Sequence, residues 1–116
     1  MALERGKLSE VVVVSASSTV GIITVASSKK VYIRSIAVMD RAGAAGLAAT
    51  AHVYVVPNGD NPVDTNKIFH IGLNKDETAL VEPVYPIVLD TTGDSLRVGC
   101  GTAGPLNVFI TGDKEE

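Results

Sequence analysis

Few side chains in this sequence could bind a metal or act as a nucleophile. The chain contains two histidines, His52 and His70, and one cysteine, Cys100. Zinc sites need three or four ligands at suitable spacing, and these residues do not form such a pattern. Cys100 shares strand parity with Leu96 and Val98, which predicts a buried thiol, and no base stands beside it to activate it. We therefore expect no metal site and no nucleophilic cysteine.

The segment from Gly99 to Gly104 contains the letters of a G-x-G-x-x-G phosphate-binding loop. Such a loop must open a helix, because the N-terminal amides of the helix bind the phosphate. Here Pro105 and a strand-like run follow, and no Lys-Ser/Thr pair is present. The segment is predicted to be a tight connection between strands, and no cofactor is expected.

Carboxylates cluster in two turns. Asp60 and Asp64 lie in the Asn- and Asp-rich segment 58–66, where oxygen ligands could suit calcium, but the spacing is not that of an EF-hand loop. Asn and Asp also favour turns because they bond their own backbone, which is our interpretation. Asp90 and Asp94 flank a glycine turn, and acid–base work by paired carboxylates requires a cleft that shifts their pKa values. With no G-x-S-x-G elbow either, the sequence predicts no enzyme.

The composition indicates one globular domain over residues 1–116. Hydrophobic residues make up 46% and aromatic residues 4%, so the core is expected to consist of small branched side chains. The net charge of −3 provides no basic face for nucleic acid, and no basic amphipathic helix suggests a membrane surface. Residues 1–10 lack the apolar region of a signal peptide, so synthesis in a host cytoplasm is expected.

Short β-type runs separated by turn signals recur along the whole chain. Their spacing of roughly 8–12 residues is typical of a sandwich or barrel. We predict an all-β, antiparallel β-sandwich of about eight strands, jelly-roll-like rather than immunoglobulin-like, with an extended N-terminal arm over residues 1–10. The predicted strands cover residues 10–15, 21–26, 30–39, 50–56, 67–73, 78–81, 87–89, 95–100 and 106–111.

The longest predicted strand changes parity in its middle. Val31 and Ile33 share one face, whereas Ile36 and Val38 share the other. A shift of one residue moves every later side chain across the sheet, so a β-bulge near residues 34–35 would return all four to one inward face. We predict a bulge there. The glycine- and alanine-rich segment 40–47 that follows is predicted to be a flexible loop.

Four stretches resemble a family of small tailed-phage virion proteins, in order and in spacing. They are KVYIRSIAV at 30–38, VYVVPNG at 53–59, PIVLDTTGDSL at 86–96 and LNVFITG at 106–112. Each stretch is a strand and a turn, and their order, from residue 29 onward, covers roughly three quarters of the chain. The chain is similar to capsid decoration (cement) proteins and to tail or fibre accessory domains. The resemblance implies a β-sandwich without catalysis, often trimeric, and does not choose between head and tail.

The leading hypothesis is a decoration protein on the capsid surface of the virion that binds the major capsid protein. A small domain without disulfides has limited core energy, so a homo-oligomer, with a trimer favoured, is expected to add stability. The alternative is a tail or fibre component that binds the host surface through the loops 40–47 and 58–66. In the leading hypothesis the N-terminal arm contacts the shell or a sister subunit, through Leu3, Glu4, Arg5, Lys7 and Leu8.

Overall fold

The computed structural model describes residues 3–27, 29–41 and 49–115. No helix in these ranges is long and apolar enough to cross a membrane. Apart from one 3-10 turn at Asp64–Asn66, the regular elements in these ranges are strands. They are β1 (Leu3–Lys7), β2 (Val12–Val14), β3 (Thr19–Thr24), β4 (Val31–Asp40), β5 (Ala49–Val56), β6 (Lys67–Leu73), β7 (Thr78–Val81), β8 (Ile87–Leu89), β9 (Ser95–Cys100) and β10 (Leu106–Glu115).

The strands form two antiparallel sheets. In the first, which we call the split sheet, β10 and β4 lie at the centre, β1 and β2 share the position beside β10, and β7 and β8 share the position beside β4. The second, the four-stranded sheet, has the order β3-β9-β5-β6. The chain passes from sheet to sheet between β2, β3, β4 and β5, and again around β7 to β10, as in a jelly roll. The predicted antiparallel sandwich is thus confirmed. The described residues form ten strands against nine predicted ranges, and the added strand is β1, which shares the position beside β10 with β2.

The core lies between the two sheets and consists of the branched residues that the composition predicts. Inward side chains come from every described strand except β1, and those of β7, Ala79 and Val81, are half-buried against the core. Cys100 is 6% exposed, which confirms the prediction of a buried thiol. Burial raises the pKa of this thiol, and its Sγ donates to the carbonyl oxygen of Ala103 at 3.2 Å. The fully buried large residues include Val14, Ile33, Ile36, Val53, Leu89, Leu96, Val98, Leu106 and Ile110.

The predicted bulge is present in β4. Thr111 of β10 lies opposite Ser35, but the next residue, Gly112, lies opposite Ile33, so Arg34 is the extra residue. The bulge places the residues on both sides of it in the core, as their parity requires. The bulge also lies at the level where the strand paired with the outer side of β4 changes from β7 to β8.

The two ends of the chain differ from the predictions. The arm expected over residues 1–10 is, over Leu3–Lys7, a strand that pairs along its whole length with the last residues of β10. Accordingly β10 continues past the predicted end at residue 111 to Glu115. Both segments are polar and lack an alternating pattern, so neither predicts a strand alone, and each extends the sheet only because the other supplies its hydrogen bonds. The loop predicted over 40–47 lies, beyond Arg41, outside the described residues.

Candidate partner-binding surfaces

The residues predicted to bind a partner lie at an edge of the split sheet. All of β1 is exposed, with Leu3 at 53%. The side chain of Leu8 is half-buried against the core, and its N–H donates to the carbonyl of Ile110 at 2.8 Å. The structure thus brings Leu3, Glu4, Arg5, Lys7 and Leu8 together on one strand and the turn after it, and docks that strand onto its own chain.

Two arginines hold this strand in place through one buried carboxylate. Asp113 of β10 is 1% exposed, and its two oxygens accept hydrogen bonds from Arg5 Nε at 2.8 Å and Arg34 Nε at 2.7 Å. The hydrogen bond from Arg5, followed by that from Arg34, holds the pKa of Asp113 below its usual value. Asp113 in turn raises the pKa of Arg5. This arginine–aspartate cluster ties β1 to the bulge of β4 across β10.

The outer side of the split sheet is apolar across four neighbouring strands. Phe109 lies opposite Ala37, and Ala37 lies opposite Leu80. In the next row, Met39 lies opposite Asn107, which lies opposite Val13. Outward positions of an antiparallel sheet that meets water are normally polar. We call this surface the apolar face; its members are Val11, Val13, Ala37, Met39, Leu80 and Phe109.

Much of the apolar face is accessible. Val11, Val13 and Leu80 are 58%, 44% and 59% exposed. This face also has a hollow of about 260 Å³, lined by Val11, Met39 and Phe109 among others. Contiguous exposed apolar surface on a small domain is a feature of interaction sites, because it is costly to leave in water.

Asn107 lies within the apolar face and has an unsatisfied amide oxygen. Its Oδ1 is buried and accepts no hydrogen bond from any of the described residues. A buried acceptor without a donor costs free energy and is rare in native structures. A donor carried by a bound partner would satisfy it.

The apolar surface continues along the outer edge of the split sheet. The connection between β7 and β8 presents Val84 and Tyr85, which are 92% and 84% exposed. Val88 of β8 is also exposed. The prolines that flank this connection predict an edge or a bend, and both β7 and β8 are indeed edge strands.

The outer side of the four-stranded sheet is different in character. One row across it consists of His70, His52, Gly99 and Thr19, and the neighbouring row contains Tyr54 opposite Arg97. The two histidines, distant in the sequence, are direct cross-strand neighbours, which spacing alone did not reveal. This surface is polar and carries imidazole, phenol, hydroxyl and guanidinium groups.

A cleft of about 530 Å³ opens at one end of the sandwich, between β1 and β3. Its floor contains Leu8, Ile22 and Val31, and its rim carries Glu4 and Lys114. Glu4 and Lys114 lie opposite each other on paired strands. Acidic and basic groups alternate on this rim, so the cleft favours neither anionic nor cationic ligands.

The acidic segment 58–66 uses its side chains to hold its own turn. Asn66 accepts a hydrogen bond from the Val63 N–H at 3.0 Å and donates one to the Asn61 carbonyl at 2.9 Å. Asp64 forms an ion pair with Lys67 at 3.2 Å. These contacts are the local turn chemistry that we inferred from the sequence.

The Asp94 carboxylate also holds turns through backbone hydrogen bonds, one within its own turn and one to the turn that contains Asn58. One carboxylate oxygen accepts from the Asn58 N–H at 3.1 Å and the other from the Thr91 N–H at 3.3 Å. Within residues 3–27, 29–41 and 49–115, no group of three or more His, Cys, Asp or Glu side chains is placed to hold a metal ion.

The apolar face was not predicted, although a signal for it exists. The run Val11 to Val14 is apolar at both parities, whereas a strand with one face in water alternates. Phe109, Ala37 and Met39 likewise occupy outward positions between inward apolar residues. Apolar residues at both parities of neighbouring strands indicate a sheet covered on both sides.

Comparisons with known proteins give little on function. No protein-family model matches the chain, and no curated protein matches it. A chain in the structure of infectious bursal disease virus, Gt strain, is similar with a TM-score of 0.42 and 12% sequence identity. The match covers 97% of this chain and 32% of the viral one, so this chain spans about a third of that chain's length. What the protein does must therefore follow from its own residues.

Proposed function

We propose that this protein is a non-enzymatic structural component of a tailed-phage virion: a capsid decoration (cement) protein that binds the major capsid protein and stabilises the lattice. The apolar face is the observation that carries the proposal. A partner that covers Val13, Leu80 and Phe109 removes exposed apolar area from water, which is the main favourable term in protein association. The sequence resemblance to small phage virion proteins supports the same role.

The chemistry of the apolar face describes the partner surface. The partner presents apolar side chains into the hollow beside Met39 and Phe109, and one N–H or O–H donor to Asn107 Oδ1. Satisfying this acceptor favours one register of binding over others, because a misplaced partner leaves it unpaired. A repeating lattice of identical subunits offers one such register per site.

The N-terminal strand is the second contact. The exposed side chains of Leu3, Glu4 and Lys7 face a sister subunit or the shell, while the arginine–aspartate cluster keeps the strand in place. The protein forms a homo-oligomer, a trimer by analogy with the proteins it resembles. Several apolar faces on one oligomer would bind the lattice with the added strength of multivalency.

The test is co-sedimentation of the purified protein with empty capsids assembled from the same phage's major capsid protein. Leu80→Glu places a charge on the apolar face, and Ile68→Glu is the matched control, since Ile68 is 44% exposed on an edge strand of the other sheet. We expect the unaltered protein and Ile68→Glu to sediment at one saturating ratio. Leu80→Glu should lose at least about tenfold in affinity, the effect of roughly 1.4 kcal/mol at an interface.

The results of this experiment distinguish a decoration protein from a tail or fibre component. Equal capsid binding by Leu80→Glu and Ile68→Glu would show that the apolar face does not contact the capsid. A stable oligomer that ignores capsids would contradict the decoration role, and binding to host cells would then identify a tail or fibre component. The oligomeric mass of the free protein, measured by sedimentation velocity, tests the trimer separately.

A further inference from the structure

We propose that His52 and His70 form a binding site for a late first-row divalent metal ion such as Cu²⁺, Ni²⁺ or Zn²⁺. The two residues lie directly opposite each other on β5 and β6, and both point outward. Their ring centroids are 4.5 Å apart, with the rings at 89° to each other. Side chains at directly opposite positions of an antiparallel pair are close enough to share one ligand, and imidazole is a preferred ligand of these ions.

An unsatisfied nitrogen lies at this site. His52 Nδ1 is buried and has no hydrogen-bond partner among the described residues. A buried polar nitrogen with no partner calls for an explanation, of which an ion is one. The His70 side chain beside it is exposed, so this ring can reorient next to His52 without any change in the backbone.

The charged groups around the pair set the strength of binding. Lys67 lies on the same strand as His70 and opposes a cation, but Asp64 forms an ion pair with it at 3.2 Å and offsets its charge. From β9, Arg97 lies opposite Tyr54, and its Nε donates to Ser95 Oγ at 3.1 Å. The remaining positive field predicts an affinity that rises when Lys67 is neutralised.

There is room above the pair for a hydrated ion. Gly72 follows His70 on the same outward side of β6, and a Cβ at this position would meet no atom within 4 Å. On the other side of His52, the space over Gly99 is occupied by the side chains of Thr19 and Tyr54, so the open side of the pair is the side of Gly72. Two imidazoles supply two ligands, and water molecules complete the coordination shell in this open space.

The experiment titrates the intact protein with Cu²⁺, Ni²⁺ and Zn²⁺ separately by isothermal calorimetry at pH 7.5, with circular dichroism to verify folding. We expect one ion per chain, with Cu²⁺ bound most tightly. His70→Gln and His52→Gln should each weaken binding by more than the roughly tenfold that accompanies loss of an outer-shell partner. Lys67→Gln should tighten it, and Cys100→Ala, which alters the only thiol, should leave it unchanged.

Two results would overturn the proposal. One is the absence of measurable binding in the unaltered protein at millimolar metal. The other is binding that His70→Gln leaves intact, because the chain has no third histidine to replace it. Neither result bears on capsid binding, which involves the opposite sheet. Loss of binding in His70→Gln with an unchanged circular dichroism spectrum supports the proposal, since His70 is exposed and its replacement leaves the core intact.

Discussion

The split sheet and the four-stranded sheet supply the same kinds of branched residues to the core but differ on their outer sides. The outer side of the split sheet carries Val13, Leu80 and Phe109, with one unsatisfied amide oxygen among them. The outer side of the four-stranded sheet carries His52 and Tyr54 beside glycines and an arginine. A common core therefore fixes the fold, and the outward positions decide what each side can bind.

The two sheets also differ in how closely their strands depend on one another. The split sheet has a bulge at Arg34, and strands from both ends of the chain meet at that level. The arginine–aspartate cluster and the pair Ser35–Thr111, joined by a side-chain hydrogen bond, lie at this junction. The four-stranded sheet has register shifts of its own, between Gly21 and Ile23 and between Val53 and Tyr54, but it has open space over Gly72. We expect substitutions to be tolerated poorly at the junction beside the bulge and well at Gly72.

The largest difference in stability between the two sheets should appear when one methyl group is added to a glycine in each sheet. A Cβ on Gly112 would collide with the backbone carbonyl of Tyr32, next to the bulge, whereas a Cβ on Gly72 meets nothing. Gly112→Ala should lower the free energy of unfolding by about 3 kcal/mol, the upper end of the usual cost of overpacking, and Gly72→Ala should change it by less than about 0.5 kcal/mol. Urea denaturation of both variants measures the difference. Equal stabilities would mean that the two sheets tolerate crowding equally.

The second-largest expected effect is the detachment of the N-terminal strand, β1, in acid. The pKa of Asp113 is lower in the folded protein than in the unfolded chain, so its contribution to stability is complete above the ordinary pKa of about 3.9 and is lost as the pH falls through the folded value. Below that pH, Arg5 loses its partner and β1 should detach. Hydrogen exchange at Leu3–Lys7 should then accelerate before that of β5.

Asp113→Asn is the matching variant. It keeps the shape of the side chain but removes the charge that Arg5 and Arg34 hold, so exchange in β1 should be fast already at pH 7. If exchange in β1 stays slow in this variant, the strand is held by its backbone pairing alone.

The smallest expected effect is a pH dependence of stability that arises in the four-stranded sheet. It occurs at a pH closer to neutrality than the effect of Asp113. The folded pKa of His52 is lowered by burial and then by His70, so the unfolded chain binds more protons below about pH 6.5. Stability should rise with pH through the folded pKa and reach its full value above 6.5. His52→Gln should flatten this slope between pH 5 and 7, as followed by urea denaturation. An unchanged slope would show that His52 does not carry it.

Much of the fold follows from local pattern. The strands Lys67–Leu73, Thr78–Val81, Ile87–Leu89 and Ser95–Cys100 have the predicted bounds, because alternating apolar residues between turn signals specify a half-buried strand. The bulge at Arg34 was predictable because a parity change inside one strand has few other solutions. The buried position of Cys100 followed from the same parity argument.

The rest depends on pairing between distant residues. Nothing in the polar segment Leu3–Lys7 predicts a strand until β10 is placed beside it. His52 and His70 look isolated in the sequence and become neighbours only through the register of β5 and β6. The apolar face is likewise a property of four strands at once. Single-sequence patterns describe one strand at a time, and surfaces are composed across strands.

The divided outer positions of the split sheet bear on how this protein behaves at high concentration. Its central strands, β4 and β10, have ten residues each, whereas its edge strands β1, β2, β7 and β8 have five, three, four and three. A long, continuous edge is a template on which a further strand can grow without limit. Interrupted edges deny that template, so the split sheet resists the addition of a further strand at both of its sides.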